Sequence, residues 1–401
     1  MVSDGQPREN LSTEGSNAAH NGGPPVSTPN AGKAPARFAF VDGLRGLAAL
    51  GIVIFHIWWY EPLPQAALQT SHWMVDEAIE KARGSVQILL VISGFVIAYT
   101  LRRTWFTVSE VYSFIGRRVV RLVPAYWVTI GIVLLVDILC RRLSGLPSPF
   151  TGQATPTRIA AHMTFLQGIF AFDAIGAGMW TLCIEMQFYI VAVLGWGLAQ
   201  RLFARPDPNQ PRPSPWGLMI VFAPAALVSL FLWRLLESTD PWVTHFLWMF
   251  FLGMITWWAL DRTISLPIFA VVVLIGGLEL IYGVKIVEEP KPFRYENSLA
   301  LATALVIFTA GMRDRLHVWL NWSPLQYLGR ISYSLYLIHF PVCHLLTTAG
   351  WKMMNDAPTP LQARVILLAG IPASILAGHL MYILVEAPSS RWAGRMKRST
   401  I

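Results

Sequence analysis

The chain has 401 residues, 54% of them hydrophobic and only 13% charged. Soluble domains carry about a quarter charged residues, so this balance excludes an ordinary water-soluble fold and points to lipid as the solvent. The formal net charge is +8, but the basic residues sit mostly in short loops between apolar runs. There they act as topology signals, and no nucleic-acid partner is expected. Cys140, Cys183 and Cys343 show no paired spacing and support neither a disulfide framework nor a zinc motif.

Residues 1–36 are rich in Gly, Pro, Ser, Asn and Thr without apolar periodicity, and read as a disordered cytoplasmic tail. No apolar h-region follows a short basic start, so the segment is not a signal peptide. A bilayer core of about 30 Å needs roughly 20 apolar residues per helix. Ten stretches approach that length: 41–60, 84–101, 119–140, 180–200, 216–236, 242–260, 266–284, 297–312, 330–349 and 363–386. The expectation is an all-α, polytopic membrane protein of about ten transmembrane helices. A shorter amphipathic piece at 155–175 reads as interfacial or re-entrant.

An even number of spans puts both termini on one side. Arginines concentrate in alternate segments: 102–118, 201–215, 313–330 and the C-terminal tail, whose last residues, 393–401, are basic. The intervening segments 61–83, 237–241 and 285–296 are acidic or mixed. The positive-inside rule then places both termini in the cytoplasm and the protein in the cell inner membrane. Arg141 and Arg142 run against the pattern, falling outside on this count. Trp58, Trp59 and Tyr60, and Trp257 and Trp258, fit interfacial aromatic belts. No loop is long enough to bury a soluble core, so any chemistry belongs to the membrane domain.

Ionisable groups inside a membrane are costly and are functional candidates by default. On the first helix, Arg45 and His56 are separated by ten residues. Eleven steps of 100° return to within about 20° of one face, with a rise of roughly 16.5 Å, about the reach of an extended pantetheine arm. A cation there suits a phosphate, and an imidazole with a pKa near neutrality suits general-base work. A buried His bonded to a neighbouring helix is the competing reading. Asp42 lies roughly 21 Å from His56 along the helix, too far to orient it. It reads as an N-terminal cap or a partner for an arginine.

On the fourth helix Glu185, within MWTLCIEMQFYI, lies at a depth similar to His56. A Glu–His pair could set the imidazole tautomer; a bond to Tyr189 or Trp180 is the packing alternative. The third helix opens with RRVVRLVPAYW, where Arg118 and Arg121 share one face and suit phosphate or pyrophosphate, while Arg117 reads as an anchor. On the ninth, Ser332, Tyr336 and His339 form a polar stripe that either lines the same cavity or bonds between helices. Ser93-Gly94 on the second reads as close packing. The histidines and carboxylates make no metal cluster, so no metal ligand is assigned. Phosphate-loop, nucleophile-elbow, zincin and dinucleotide motifs are absent in a proper context.

Six segments in order, DGLRGLAAL with its following His, LLVISGFVI, RRVVRLVPAYW, MWTLCIEMQFY, GRISYSLYLIHFPV and VEAPSSRW, resemble the acyltransferase-3 family of integral membrane O-acyltransferases. The likeness runs from about 38 to 392, which sets a transmembrane domain at 37–392. It implies transfer of an acyl group, usually acetyl, from cytoplasmic acyl-CoA to a hydroxyl. Surface polysaccharide, lipid-linked sugar, peptidoglycan or another glycoside would be the acceptor, reached among membrane lipid. Acyl-CoA is then a co-substrate rather than a resident cofactor. In that pattern Arg45 and His56 match the essential first-helix pair, Arg118 and Arg121 the basic motif, and Glu185 the acidic position. Some members carry an added hydrolase-like domain; here the acceptor is expected to meet the membrane domain directly. The rival functions are a transporter using the intramembrane Arg, His and Glu, and a carrier that passes acetyl across the bilayer.

Overall fold

The computed structural model describes residues 38–59, 63–69, 71–102, 104, 106–145, 154–203, 213–231, 242–282 and 291–396. The expected tail at 1–36 and the last five residues lie outside them. Every extended regular element of the described residues is helical. In chain order these are α1 (Ala39–Ile57), α2 (Leu63–Leu68), α3 (Trp73–Ala82), α4 (Ser85–Leu101), α5 (Val108–Ser144), α6 (Pro156–Met163) and α7 (Met179–Phe203). There follow α8 (Pro215–Phe231), α9 (Leu247–Leu260), α10 (Leu266–Tyr282), α11 (Lys291–Met312), α12 (Ser323–Met353), α13 (Pro360–Met381) and α14 (Ala387–Met396). A π-helical turn, Tyr382–Glu386, joins the last two.

Local chemistry sets the helix ends. Thr107 caps α5 by accepting from the Glu110 N–H at 3.2 Å. Gly145, at φ +73°, ends it with its N–H on the Arg141 carbonyl. Thr359 and Gln362 form a capping box at the start of α13. Proline occurs inside α5, α8, α12 and α13, where neighbouring helices can satisfy the freed carbonyls.

Five described segments are long and apolar enough to cross a bilayer: Ala39–Ile57, Trp73–Leu101, Val108–Ser144, Met179–Phe203 and Pro360–Met396. Pro215–Phe231, Leu247–Leu260 and Leu266–Tyr282 are apolar but shorter. The piece expected at 155–175 is α6 followed by a series of turns. His162 fastens it: its Nδ1–H donates to the Arg158 carbonyl at 2.8 Å and its Nε2 accepts from the Ile175 N–H at 3.0 Å.

Helix α12 is the hub, packed against α1, α5 and α13. Helices α1 and α12 run parallel, because Gly46 lies against Leu325–Gly329 and His56 against His339. They meet backbone to backbone. A Cβ on Gly329 would lie 2.1 Å from the Asp42 carbonyl oxygen, and one on Gly46 2.8 Å from the Gly329 nitrogen. Small residues permitting such approach are the usual device of membrane helix pairs. Asp42 thus sits inside the first turn of α1, where its charge favours the helix dipole. The N-cap position expected for it belongs to Phe38. The α4–α9 crossing is equally close at Gly94, whose Cβ would fall 1.9 Å from the Phe250 carbonyl oxygen.

Gly329→Val is therefore expected to destabilise the protein by about 1–3 kcal/mol or more, read as a lowered midpoint of thermal unfolding in detergent. Gly131→Ala, at a position with nothing within 4 Å, should be neutral or stabilising in the same assay.

Candidate functional site

Helices α1, α4, α5, α7, α12 and the π-turn enclose a cavity of about 380 Å³. Its walls carry four arginines, Arg45, Arg118, Arg121 and Arg330, and two glutamates, Glu185 and Glu386. Four of the five sequence-derived site residues, Arg45, Arg118, Arg121 and Glu185, thus share one chamber. Along α4 its lining runs from Val86 to Thr100, fourteen steps, or roughly 21 Å at helical rise.

Inside the cavity the recorded hydrogen bonds of both carboxylates run to neutral groups, and Arg118 bonds the Tyr189 hydroxyl. Glu185 accepts from the Tyr189 hydroxyl and from Ser93 Oγ at 3.4 Å. Glu386 accepts from the Ser334 N–H at 3.2 Å and from its hydroxyl at 2.6 Å. Both carboxylates are therefore held by neutral donors. Arg118 lies over two rings, its guanidinium carbon 4.0 Å from the Tyr189 centroid and 4.9 Å from that of Phe114. Among the described residues no carboxylate lies within ion-pair distance of Arg45, Arg118, Arg121 or Arg330. Four forks against two carboxylates leave the chamber an excess of positive charge, which is costly in a membrane domain and suits an anionic guest.

His56 stands apart from this lining. It lies at the far end of α1, half-buried, with its ring centroid 4.9 Å from that of His339. Its Nδ1 is 3.0 Å from the Ile52 carbonyl oxygen and 3.1 Å from His339 Nε2. The bonds recorded for Glu185 and His56 run to different partners, so the Glu–His pair expected from their common depth does not form. His339 occupies the place expected for Glu185. Between cavity and imidazoles stands Tyr336, which lines the chamber. Its ring centroid is 5.9 Å from that of His339. Its hydroxyl bonds Thr181 and donates to the Gly178 carbonyl at 3.2 Å. Gly178, at φ +85°, lets the turn before α7 close onto that ring, 2.9 Å from where a Cβ would be.

The polar stripe of α12 thus divides its work, with Ser332 and Tyr336 on the cavity and His339 against His56. Ser93, read as packing, lines the cavity, while its neighbour Gly94 does the packing. Arg330 and Glu386 also line the chamber, and neither stands out in the sequence. The α1 pattern gives no signal for Arg330: in GRISYSLYLIH the arginine lies nine positions before the histidine, which at 100° a step puts the two on opposite faces.

Residues 38–379 match the family described as acyltransferase domain. The chain is similar to the peptidoglycan O-acetyltransferase OatA of Listeria monocytogenes, 23% identical over 376 residues, covering 87% of this chain and 55% of that protein. It is similar to the O-acetyltransferase OatA of Staphylococcus aureus, 24% identical over 367 residues, covering 87% and 56%. It also resembles the exopolysaccharide production protein ExoZ of Rhizobium meliloti, 27% identical over 352 residues, covering 84% and 96%. The chain spans little more than half the length of the first two. No solved structure matches it.

The α6 hairpin, which leads into Gly178 and α7, carries its own pH dependence. Burial, with the neighbouring Arg158 charge, holds His162 below its ordinary value of 6.5. The folded protein binds that proton more weakly than the unfolded chain. Its stabilising contribution is full above pH 6.5 and is lost as pH falls through the lower folded value. Thermal scans should show a loss below that pH which His162→Gln reduces, since the amide accepts from Ile175 N–H without titrating.

Proposed function

Since the chain belongs to the acyltransferase domain family, we propose that it moves an acyl group, acetyl by analogy with its relatives' names, from acyl-CoA to a hydroxyl of a glycan, lipid-linked sugar or glycoside. The observation that carries this reading is the chamber of four arginines without a carboxylate partner among the described residues. Coenzyme A offers phosphates to such a group. Arg118 and Arg121 on α5, Arg45 on α1 and Arg330 on α12 would hold them, each fork able to make two charge-assisted bonds.

The pantetheine arm would then run along α1 and α12 toward His56, about 16.5 Å above Arg45 by helical rise, passing Tyr336. His56 is the base. The acceptor hydroxyl gives its proton to the imidazole while its oxygen attacks the thioester carbonyl. The C–O bond forms, the C–S bond breaks, and the proton leaves with the coenzyme A sulfur. Glu185, bonded to Tyr189, serves as the fixed negative wall of the chamber and keeps Arg118 turned inward through the shared Tyr189 ring.

In this reading α1, α4, α5 and α7 to α13 supply ten spans of one transmembrane domain, 37–392, in the inner membrane. The N-terminal tail and the basic residues 393–401 both face the cytoplasm, which gives the arginine chamber its donor. A fluorescent protein fused after Ile401 should fold in the cytoplasm, while alkaline phosphatase at that point stays inactive.

The donor assignment is tested with purified protein and acetyl-CoA, a soluble N-acetylhexosamine oligosaccharide as acceptor, and release of coenzyme A thiol as the signal. Arg118→Ala and Arg121→Ala should each raise the KM for acetyl-CoA about tenfold or more. Coenzyme A should raise the unfolding temperature and pantetheine, which lacks the phosphates, should not. His56→Ala should lower kcat by about 10²–10⁴ with the donor KM kept. Wild-type turnover in that variant removes His56 from the mechanism.

A further inference from the structure

The contact between His56 and His339 has a definite proton arrangement. His339 Nδ1 faces the Leu335 carbonyl at 3.2 Å. A carbonyl only accepts, so that nitrogen carries hydrogen, and in the neutral ring Nε2 is then bare. His339 Nε2 faces His56 Nδ1 at 3.1 Å, while the Ile52 carbonyl lies 3.0 Å from the same nitrogen. His56 Nδ1 therefore carries hydrogen, shared between two acceptors, and its Nε2 is the basic nitrogen. Two helices fix this chain of tautomers through their own backbones.

We propose that His339 is the positioning partner of His56, holding His56 Nε2 as the base and taking a share of the proton that His56 gains. The proposal rests on the acyl-transfer reading and adds a second imidazole to it. When His56 Nε2 takes the acceptor's proton, the ring becomes an imidazolium with hydrogen on both nitrogens. The Ile52 carbonyl can only accept a bond from it. His339 Nε2 can take the Nδ1 proton itself, so the positive charge spreads over two rings while the tetrahedral adduct forms. The proton returns by the same bond and leaves on the coenzyme A sulfur, so atoms and charge balance without a further reactant. A carboxylate orients the base in hydrolytic triads. Here a neutral imidazole does so, and no permanent charge is buried beside the reacting thioester.

The parallel register of α1 and α12 makes the pair possible. Leu335 packs with Ala49 and Val53 one turn earlier, so His339 reaches His56 from a fixed base. His339 is fully buried, and its ring cannot turn without breaking its bond to Leu335.

Three full-length variants separate this role from simple packing. Gln places an amide oxygen where histidine has Nε2 and can accept from His56, though it cannot take the proton. Asn places its amide near Nδ1 and can keep the Leu335 bond while losing His56. Leu keeps neither. With acetyl-CoA as donor and thiol release as signal, His339→Leu and His339→Asn should lose about 10- to 100-fold in kcat. His339→Gln should retain clearly more than either, and the donor KM should hold in all three because the arginine chamber is separate. An Asn variant as active as Gln, or better, overturns the proposal, leaving His339 a helix-bonding residue. If His56→Ala turns over normally, the acyl-transfer base has failed instead, which is a different outcome. Nitrogen-15 spectra of the wild-type protein provide a measurement independent of variant folding. A hydrogen on His56 Nδ1, coupled across the bond to His339 Nε2, is expected, and a bare His56 Nδ1 overturns the proposal.

Discussion

The backbone contact between α1 and α12 is the constraint on which the rest depends. With a carbonyl of one helix almost touching a glycine of the other at Asp42 and Gly329, the two rods have one register. That register sets Arg45 beside the chamber that Arg330 also lines, and His56 beside His339, near opposite ends of the same parallel pair. A side chain at Gly329 or Gly46 would push the helices apart and disturb both ends together. Polar function at the two ends is therefore coupled through the least polar residues between them.

Electrostatics explains why the chamber is built with neutral donors on its carboxylates. An arginine bonded to Glu185 or Glu386 would be satisfied and of little use to an anionic guest. Tyr189, Ser93 and Ser334 occupy those carboxylates instead. The forks outnumber the carboxylates four to two, an excess of charge that the proposed anionic donor would offset on entry. Arg118 shows the intermediate solution: rings of Tyr189 and Phe114 shield its planar face while its edge can still make hydrogen bonds.

Much of this was legible in the sequence because helical periodicity is strict. Ten intervening residues place Arg45 and His56 on nearly one face, and three steps do the same for Arg118 and Arg121. Both inferences need only one helix. Partnerships between helices were less legible. Glu185 and His56 were paired by depth alone, yet depth leaves azimuth and neighbour unspecified, and α12 supplied the nearer partner. Arg330 reads as a loop charge in the sequence because composition cannot tell an arginine that faces lipid headgroups from one that faces a cavity, and the helix in fact starts seven residues earlier, at Ser323. Ser93 and Gly94 are adjacent in sequence but face different neighbours. The first meets Glu185 and the second α9, so a single label for the dipeptide could describe only one of them.

The interlocked pair also limits how the molecule can move. Sliding α1 along α12 by even half a turn would drive the Asp42 carbonyl into side chains that flank Gly329, and tilting would lose the Gly46 contact. The central seam thus behaves as a fixed keel. On the proposed route of the pantetheine arm the side chain at the junction is Tyr336, which lines the chamber and lies against His339, so a change of its rotamer would open the way while the helices stay put. Such a swing would break the hydroxyl's bonds to Thr181 and Gly178, and side-chain motion of this kind takes nanoseconds in an exposed ring and longer in a packed one.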